Sequence, residues 1–143
     1  MKFLEEHNSV AHTKNINSET TKATVVPKGW GGEYFAYHTP QENNGQKIDV
    51  DTVKLMFFEK DKKCSIHYHI LKDEYFVCVS GRFKIELSDE WGSPDVFELE
   101  PFQRVFVPKM REHRITGLED TNLLLEVSSM DRPEDSIRLV KGD

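Results

Sequence analysis

At 143 residues, with 31% charged side chains and a formal charge of −6, the chain is sized for one water-soluble domain around one core. No run reaches the ~18 apolar residues that a membrane-spanning helix requires. No basic patch is concentrated enough to make nucleic acid the main partner. The N-terminal stretch lacks the apolar centre of a signal peptide, and two cysteines, Cys64 and Cys78, are too few for a disulfide framework. The expected setting is the reducing cytoplasm.

In chain order, residues 8–22 are rich in Asn, Ser and Thr and poor in apolar side chains. This composition predicts an irregular, partly disordered arm over residues 1–24, with His7 and His12 exposed to solvent. From residue 25 onward the pattern changes to short apolar or alternating runs between turn residues. Strands are expected over 53–58, 64–70, 74–79, 82–87, 96–99, 104–107 and 122–127. Charged or Gly/Pro-containing turns separate them at 59–63, 71–73, 80–81, 88–94 and 108. No amphipathic helix longer than a turn or two is visible. Many short strands with Gly and Pro punctuation point to an all-β fold, a sandwich or barrel over residues 25–143. Cys78, inside an apolar strand, reads as a small buried hydrophobe.

One segment carries chemistry. His67 and His69 are two residues apart, so in a strand both side chains point to the same face and can grip one ion. Glu74 follows across a three-residue turn and starts the next strand, and Gly81 ends it. His113 comes later, five residues after Pro108. Three imidazoles and a carboxylate form a shell for a divalent transition metal such as zinc, iron, manganese or nickel, with positions left for a ligand.

The spacing H-x-H-x4-E-x6-G, followed by P-x4-H, resembles the two motifs of the cupin superfamily, which implies a single-domain cupin, a small jelly-roll β-barrel. Departures lie in the turns: Asp61, Phe102 and Met110 stand where the family usually has glycine, and Gly117 where it has asparagine. Further segments are similar to the cupin domain of type II mannose-6-phosphate isomerases. These are Gly29-Trp30-Gly31-Gly32-Glu33-Tyr34, Ser65 to His69, Glu74 to Gly81, Glu126-Val127-Ser128-Ser129 and Glu134-Asp135-Ser136-Ile137-Arg138. In that family a glutamine stands at His67, an arginine at Lys72, and a histidine and tryptophan at Tyr75 and Phe76, and the closing D-Y-G-R is missing here.

The resemblance implies a small-molecule ligand, a sugar or sugar phosphate, and aldose–ketose isomerisation as the reaction. A homodimer is the oligomer expected from it. Lys72 and Arg138 are the candidate catalytic residues. Arg138 is the expected phosphate anchor, with Lys54, Arg104 and Arg111 as other cations, and Lys72, in a short turn, is expected to be solvated. Tyr34, Tyr37, Tyr68, Tyr75 and Phe76 are candidates to stack on a sugar ring, although strand aromatics are ordinarily core. Two other functions fit the same shell: a mononuclear metal dioxygenase, and a sugar-binding module without turnover.

Overall fold

The computed structural model describes residues 25–143, apart from the side chains of residues 40, 43 and 46–50. The arm expected over residues 1–24, with His7 and His12, lies outside the described residues. Eleven strands follow: β1 (Val25–Lys28), β2 (Gly31–Asn43), β3 (Gln46–Phe58), β4 (Ile66–His69), β5 (Glu74–Ser80), β6 (Phe83–Ser88), β7 (Pro94–Leu99), β8 (Arg104–Val107), β9 (His113–Gly117), β10 (Asn122–Asp131) and β11 (Ser136–Val140). The only helical element among the described residues is a 3₁₀ turn at Pro133–Asp135, and no described helix is long and apolar enough to cross a membrane.

The strands form two antiparallel sheets, in the orders β1-β2-β3-β10-β5-β8 and β11-β4-β9-β6-β7. This is the expected jelly roll, although the two sheets are not hydrogen-bonded into a closed barrel. Two strands exceed the expectation of uniformly short ones. β2 and β3 run 13 residues each and are joined at Asn44-Gly45, whose φ angles are 51° and 77°. Both turn residues are left-handed, which is what an Asn-Gly hairpin turn supplies. β9, which carries His113, was not foreseen as a strand.

One end of the space between the sheets is apolar. Trp30 stacks on Phe58 at 4.3 Å, Phe83 meets Phe58 edge-on at 5.6 Å, and Ile85, Leu99, Ile115, Leu124 and Cys78 complete the core. Cys78 is therefore the buried hydrophobe its strand implied. Buried Asn122 ties loops together at this end. Its Nδ2 donates to the carbonyls of Phe58 and Glu119, and its Oδ1 accepts from the amides of Arg82 and Glu119. Gly81, the glycine of the first motif, has φ 77°, and a Cβ there would run into the Thr121 carbonyl.

Asp61, Phe102 and Met110 have φ of 61°, 70° and 66°. These are the positions where the resembled family has glycine. The backbone takes the left-handed path that glycine follows without strain, although this chain places side chains there.

Candidate metal centre

β4 is paired on both sides, by β11 and by β9, and His67 faces His113 directly across the β4–β9 pair. Alternation along β4 then puts His69 beside them. The ring centroids are 4.3 Å apart for His67 and His113, 5.1 Å for His67 and His69, and 5.8 Å for His69 and His113. One nitrogen from each ring lies within 4.8 Å of the other two.

The backbone orients all three rings in the same way. Nδ1 of His67 is 3.0 Å from the Ser65 carbonyl, Nδ1 of His69 is 3.2 Å from that of Asp135, and Nδ1 of His113 is 3.0 Å from that of Arg111. A carbonyl only accepts, so each Nδ1 carries the proton and each Nε2 lone pair is left for an ion. The Nε2 atoms of His69 and His113 are buried without a hydrogen-bond partner. Burial, and then the neighbouring His113, push the His67 pKa down to about 3, so this ring is neutral near pH 7. Burial also lowers the His69 pKa, so two of the three pre-aimed rings are neutral near pH 7, and the three histidines can hold a divalent metal ion.

Glu74 begins β5 and reaches the same cluster. Its Oε1 is 3.5 Å from Nε2 of His69, and its Oε2 is 3.1 Å from Nε2 of His113, close but without hydrogen-bond alignment. On its other side Oε1 accepts from Lys72 Nζ at 2.7 Å. Burial raises the Glu74 pKa, but Lys72 and the two histidines outweigh it and hold the carboxyl well below the usual range. Burial lowers the His113 pKa, but the Glu74 carboxylate leaves it raised overall.

Lys72 corrects the expectation of a solvated turn lysine. Its side chain is 5% exposed, and its ammonium also lies 3.1 Å from Glu126 Oε1 and 3.1 Å from Asp131 Oδ1. The turn is held inward by Asp135, whose carboxylate accepts from the amides of Ile70, Leu71 and Lys72 at 3.0–3.1 Å. Lys54 completes the network, 2.8 Å from Asp131 Oδ2 and 3.5 Å from Glu126 Oε1, with Phe35 under its ammonium. Ser128 Oγ donates to Glu126 Oε1 at 2.8 Å. Burial opposes the charge on Lys72, but Glu126, Glu74 and Asp131 hold its pKa well above the ordinary value.

These groups line a cavity of about 480 Å³. Arg138, opposite His67 in the β11–β4 pair, stands exposed at its wall together with Lys141, and half-buried Lys28, 3.0 Å from Glu33, also lines it. Lys54 also lines it, whereas Arg104 and Arg111 do not. Among the aromatic candidates only Phe76 faces the cavity; Tyr37 and Tyr75 project from the opposite side of their sheet. Lys54, Glu126 and Asp131 were not foreseen as one network. The available signal was charge at inward positions of otherwise apolar strands.

No protein-family model matches the chain, and no curated protein matches it in sequence. Solved structures do resemble it. Oxalate decarboxylase from Bacillus subtilis superposes with a TM-score of 0.67 at 14% identity over 82% of this chain, and this chain spans 30% of that one. CapF, a capsular polysaccharide assembling protein from Staphylococcus aureus, gives 0.70 at 19% identity over 85% of this chain and 32% of its own. KdgF from Halomonas sp. gives 0.59 at 21% identity over 72% of this chain and 81% of its own. The oxalate decarboxylase is described with Mn(II) centres. The chain takes the cupin fold, and between its sheets stands a three-histidine cluster able to hold a divalent metal ion.

Proposed function

We propose that this protein is a metal-dependent cupin acting on a small, oxygen-rich anion of the sugar-phosphate class, in the manner of a mannose-6-phosphate isomerase. The observation that carries the proposal is the charge of the cavity. Its lining holds six cationic side chains (Lys28, Lys54, Lys72, Arg132, Arg138, Lys141) against five carboxylates (Glu33, Glu74, Glu126, Asp131, Asp143). A divalent ion on the histidines makes this pocket positive inside a chain of net charge −6, and such a pocket concentrates anions. Of the structural relatives, one is a decarboxylase of oxalate and another is described as a capsular polysaccharide assembling protein.

In this reading His67, His69 and His113 hold the ion and Glu74 is its fourth ligand. The bound metal would polarise a substrate carbonyl or hydroxyl oxygen and stabilise the negative charge that develops there. Lys72 stays protonated, fixes Glu74 and neutralises the buried acids around it, so it serves as a charge stabiliser and not as a base. Arg138, at the mouth, is the phosphate anchor, where a guanidinium can give two parallel hydrogen bonds. Isomerisation also needs a base near the carbon that loses its proton, and the lining carboxylates Glu126 and Asp131 are the groups in reach of the cavity. The setting we propose is cytoplasmic, in keeping with two buried free thiols, Cys64 and Cys78. The second reading, oxygen chemistry at a redox metal, draws on the engagement of Glu74 by Lys72, which leaves three histidines as the separable donor group.

The test is binding and turnover by metal-restored protein across hexoses, hexose phosphates and small dicarboxylates. Anions should bind more tightly than neutral hexoses. Arg138→Ala should weaken a phosphorylated sugar far more than its unphosphorylated form. Equal weakening would remove Arg138 as the anchor. Oxygen consumption by iron-loaded protein, with no sugar phosphate bound, would shift the reading to a dioxygenase.

A further inference from the structure

The three histidines and Glu74 do not share a sheet. His67, His69 and His113 stand on β4 and β9 of the five-stranded sheet, and Glu74 opens β5 of the six-stranded sheet. Strand pairing sets the histidines against one another, since β4 and β9 are neighbours. No ladder sets them against Glu74, because the described strands of the two sheets do not pair with each other. That alignment depends on the chain that crosses between the sheets. Residues 70–73 cross from β4 to β5, and residues 132–135 cross from β10 to β11. Asp135, only 3% exposed, joins the two crossings. Its Oδ1 accepts from the amides of Ile70 and Leu71, and its Oδ2 from those of Leu71 and Lys72, at 3.0–3.1 Å. Its own carbonyl accepts from Nδ1 of His69 at 3.2 Å. One residue therefore holds the ring of a histidine and the backbone of the three residues that follow it.

We propose that Asp135 is a positioning residue of the metal centre, one that sets how His69 and Glu74 are presented to a single ion. The claim rests on the three-histidine metal centre and is separate from the identity of the substrate. Two paths lead from Asp135 to the site. The first is its carbonyl, which fixes the His69 ring with Nε2 inward. The second runs through Lys72. With its amide held by Asp135, Lys72 turns its ammonium onto Glu74 Oε1 at 2.7 Å. That leaves Oε2, 3.1 Å from Nε2 of His113, as the carboxylate oxygen open to an ion. The clasp needs a carboxylate, because only that group accepts at both oxygens and donates at neither. Asparagine has the same shape but sets an NH2 donor against amides that also donate, and a buried donor without an acceptor is costly. The 70–72 turn then shifts, Lys72 leaves Glu74, both carboxylate oxygens become free, and the His69 ring loses its fixed aim.

The test is Mn(II) binding to the full chain, read as affinity and as the electron paramagnetic resonance spectrum of the metal-saturated protein. Asp135→Asn should bind the ion about 10- to 100-fold more weakly than wild type. Once saturated it should give an altered spectrum, because the arrangement of ligands has itself changed. Asp135→Glu keeps the charge but moves the acceptor by one carbon. It should show the same spectral change, and it replaces Asp135→Asn if that variant fails to fold. Asp73→Asn removes a charge from the same crossing while keeping the Oδ1 that accepts from the Lys109 amide, and it should match wild type in both readouts. A wild-type spectrum in the Asp135 variants, with or without a loss of affinity, would reduce Asp135 to a structural residue and overturn the proposal. An equal loss in Asp73→Asn would overturn it too, by tracing the effect to charge alone. Wild-type protein that binds no Mn(II) would overturn the metal centre itself and this proposal with it.

Discussion

The two ends of the space between the sheets are built from the same strands yet have opposite chemistry. β3 contributes Met56 and Phe58 to one end and Thr52 and Lys54 to the other. β10 contributes Leu124 to one and Glu126 and Ser128 to the other, β5 contributes Cys78 and then Glu74, and β9 contributes Ile115 and then His113. The apolar end needs only burial, about 25 cal/mol per Å² of area removed from water. The ionic end costs desolvation, which its mutual pairing offsets, and it leaves three imidazole nitrogens aimed at one point. Stability is therefore expected to come mainly from the first end and chemistry from the second. Breaking one end should leave the function of the other.

The largest effect is expected at the apolar end. Phe83 is fully buried against Phe58, and Phe83→Ala should cost about 3–5 kcal/mol of unfolding free energy. Denaturant titration checks this, and metal affinity of the folded fraction should be unchanged. At the ionic end, Lys72→Met keeps the volume but leaves Glu74, Glu126 and Asp131 with less positive charge. A loss of about 3 kcal/mol is expected for metal-free protein. The loss should shrink when metal is added, because the ion then supplies the charge that Glu74 has lost. An equal loss with and without metal would uncouple Lys72 from the site.

A subtler difference between the ends is in protons. In metal-free protein the His113 pKa is raised by Glu74, so below that value its Nε2 carries a proton that must leave when a metal takes the nitrogen. Metal affinity should thus fall as pH drops through the raised His113 value. His67, already neutral down to a pH of about 3, should add nothing near neutrality. Calorimetry in two buffers of different ionisation enthalpy measures the released proton. The smallest effect lies outside both ends: Phe102→Gly relieves a left-handed residue at an exposed turn and should stabilise by up to ~1 kcal/mol, read as a small rise in melting temperature.

The sequence made the histidine geometry legible because it is local: two residues of a strand share a face, and the metal-motif spacing sets the turn to Glu74. The strand character of most segments was legible for the same reason, from alternation and turn residues. Lys72 was misjudged because its burial depends on a distant group, the Asp135 carboxylate, which draws the 70–72 backbone inward. The partnership of Lys54, Glu126 and Asp131 depends on the register of β3 against β10, which no short window contains. The full length of β2 and β3 was missed although Asn44-Gly45 marks their turn, because polar residues between 38 and 52 hide the alternation. At the glycine departures, Asp61, Phe102 and Met110, the backbone has the positive φ that glycine takes freely.

The central claim is that the ionic end is a metal centre held by three histidines, and its most direct test is elemental analysis of the chain after loading with manganese, iron, zinc or nickel, run beside His69→Ala. The account predicts one ion per chain, its loss in His69→Ala, and a melting temperature that falls by several degrees on chelation of the wild-type protein, since an ion at a hundredfold excess over its Kd adds about 2.7 kcal/mol. Wild-type protein that retains no ion, or His69→Ala protein that retains a full one, would contradict it.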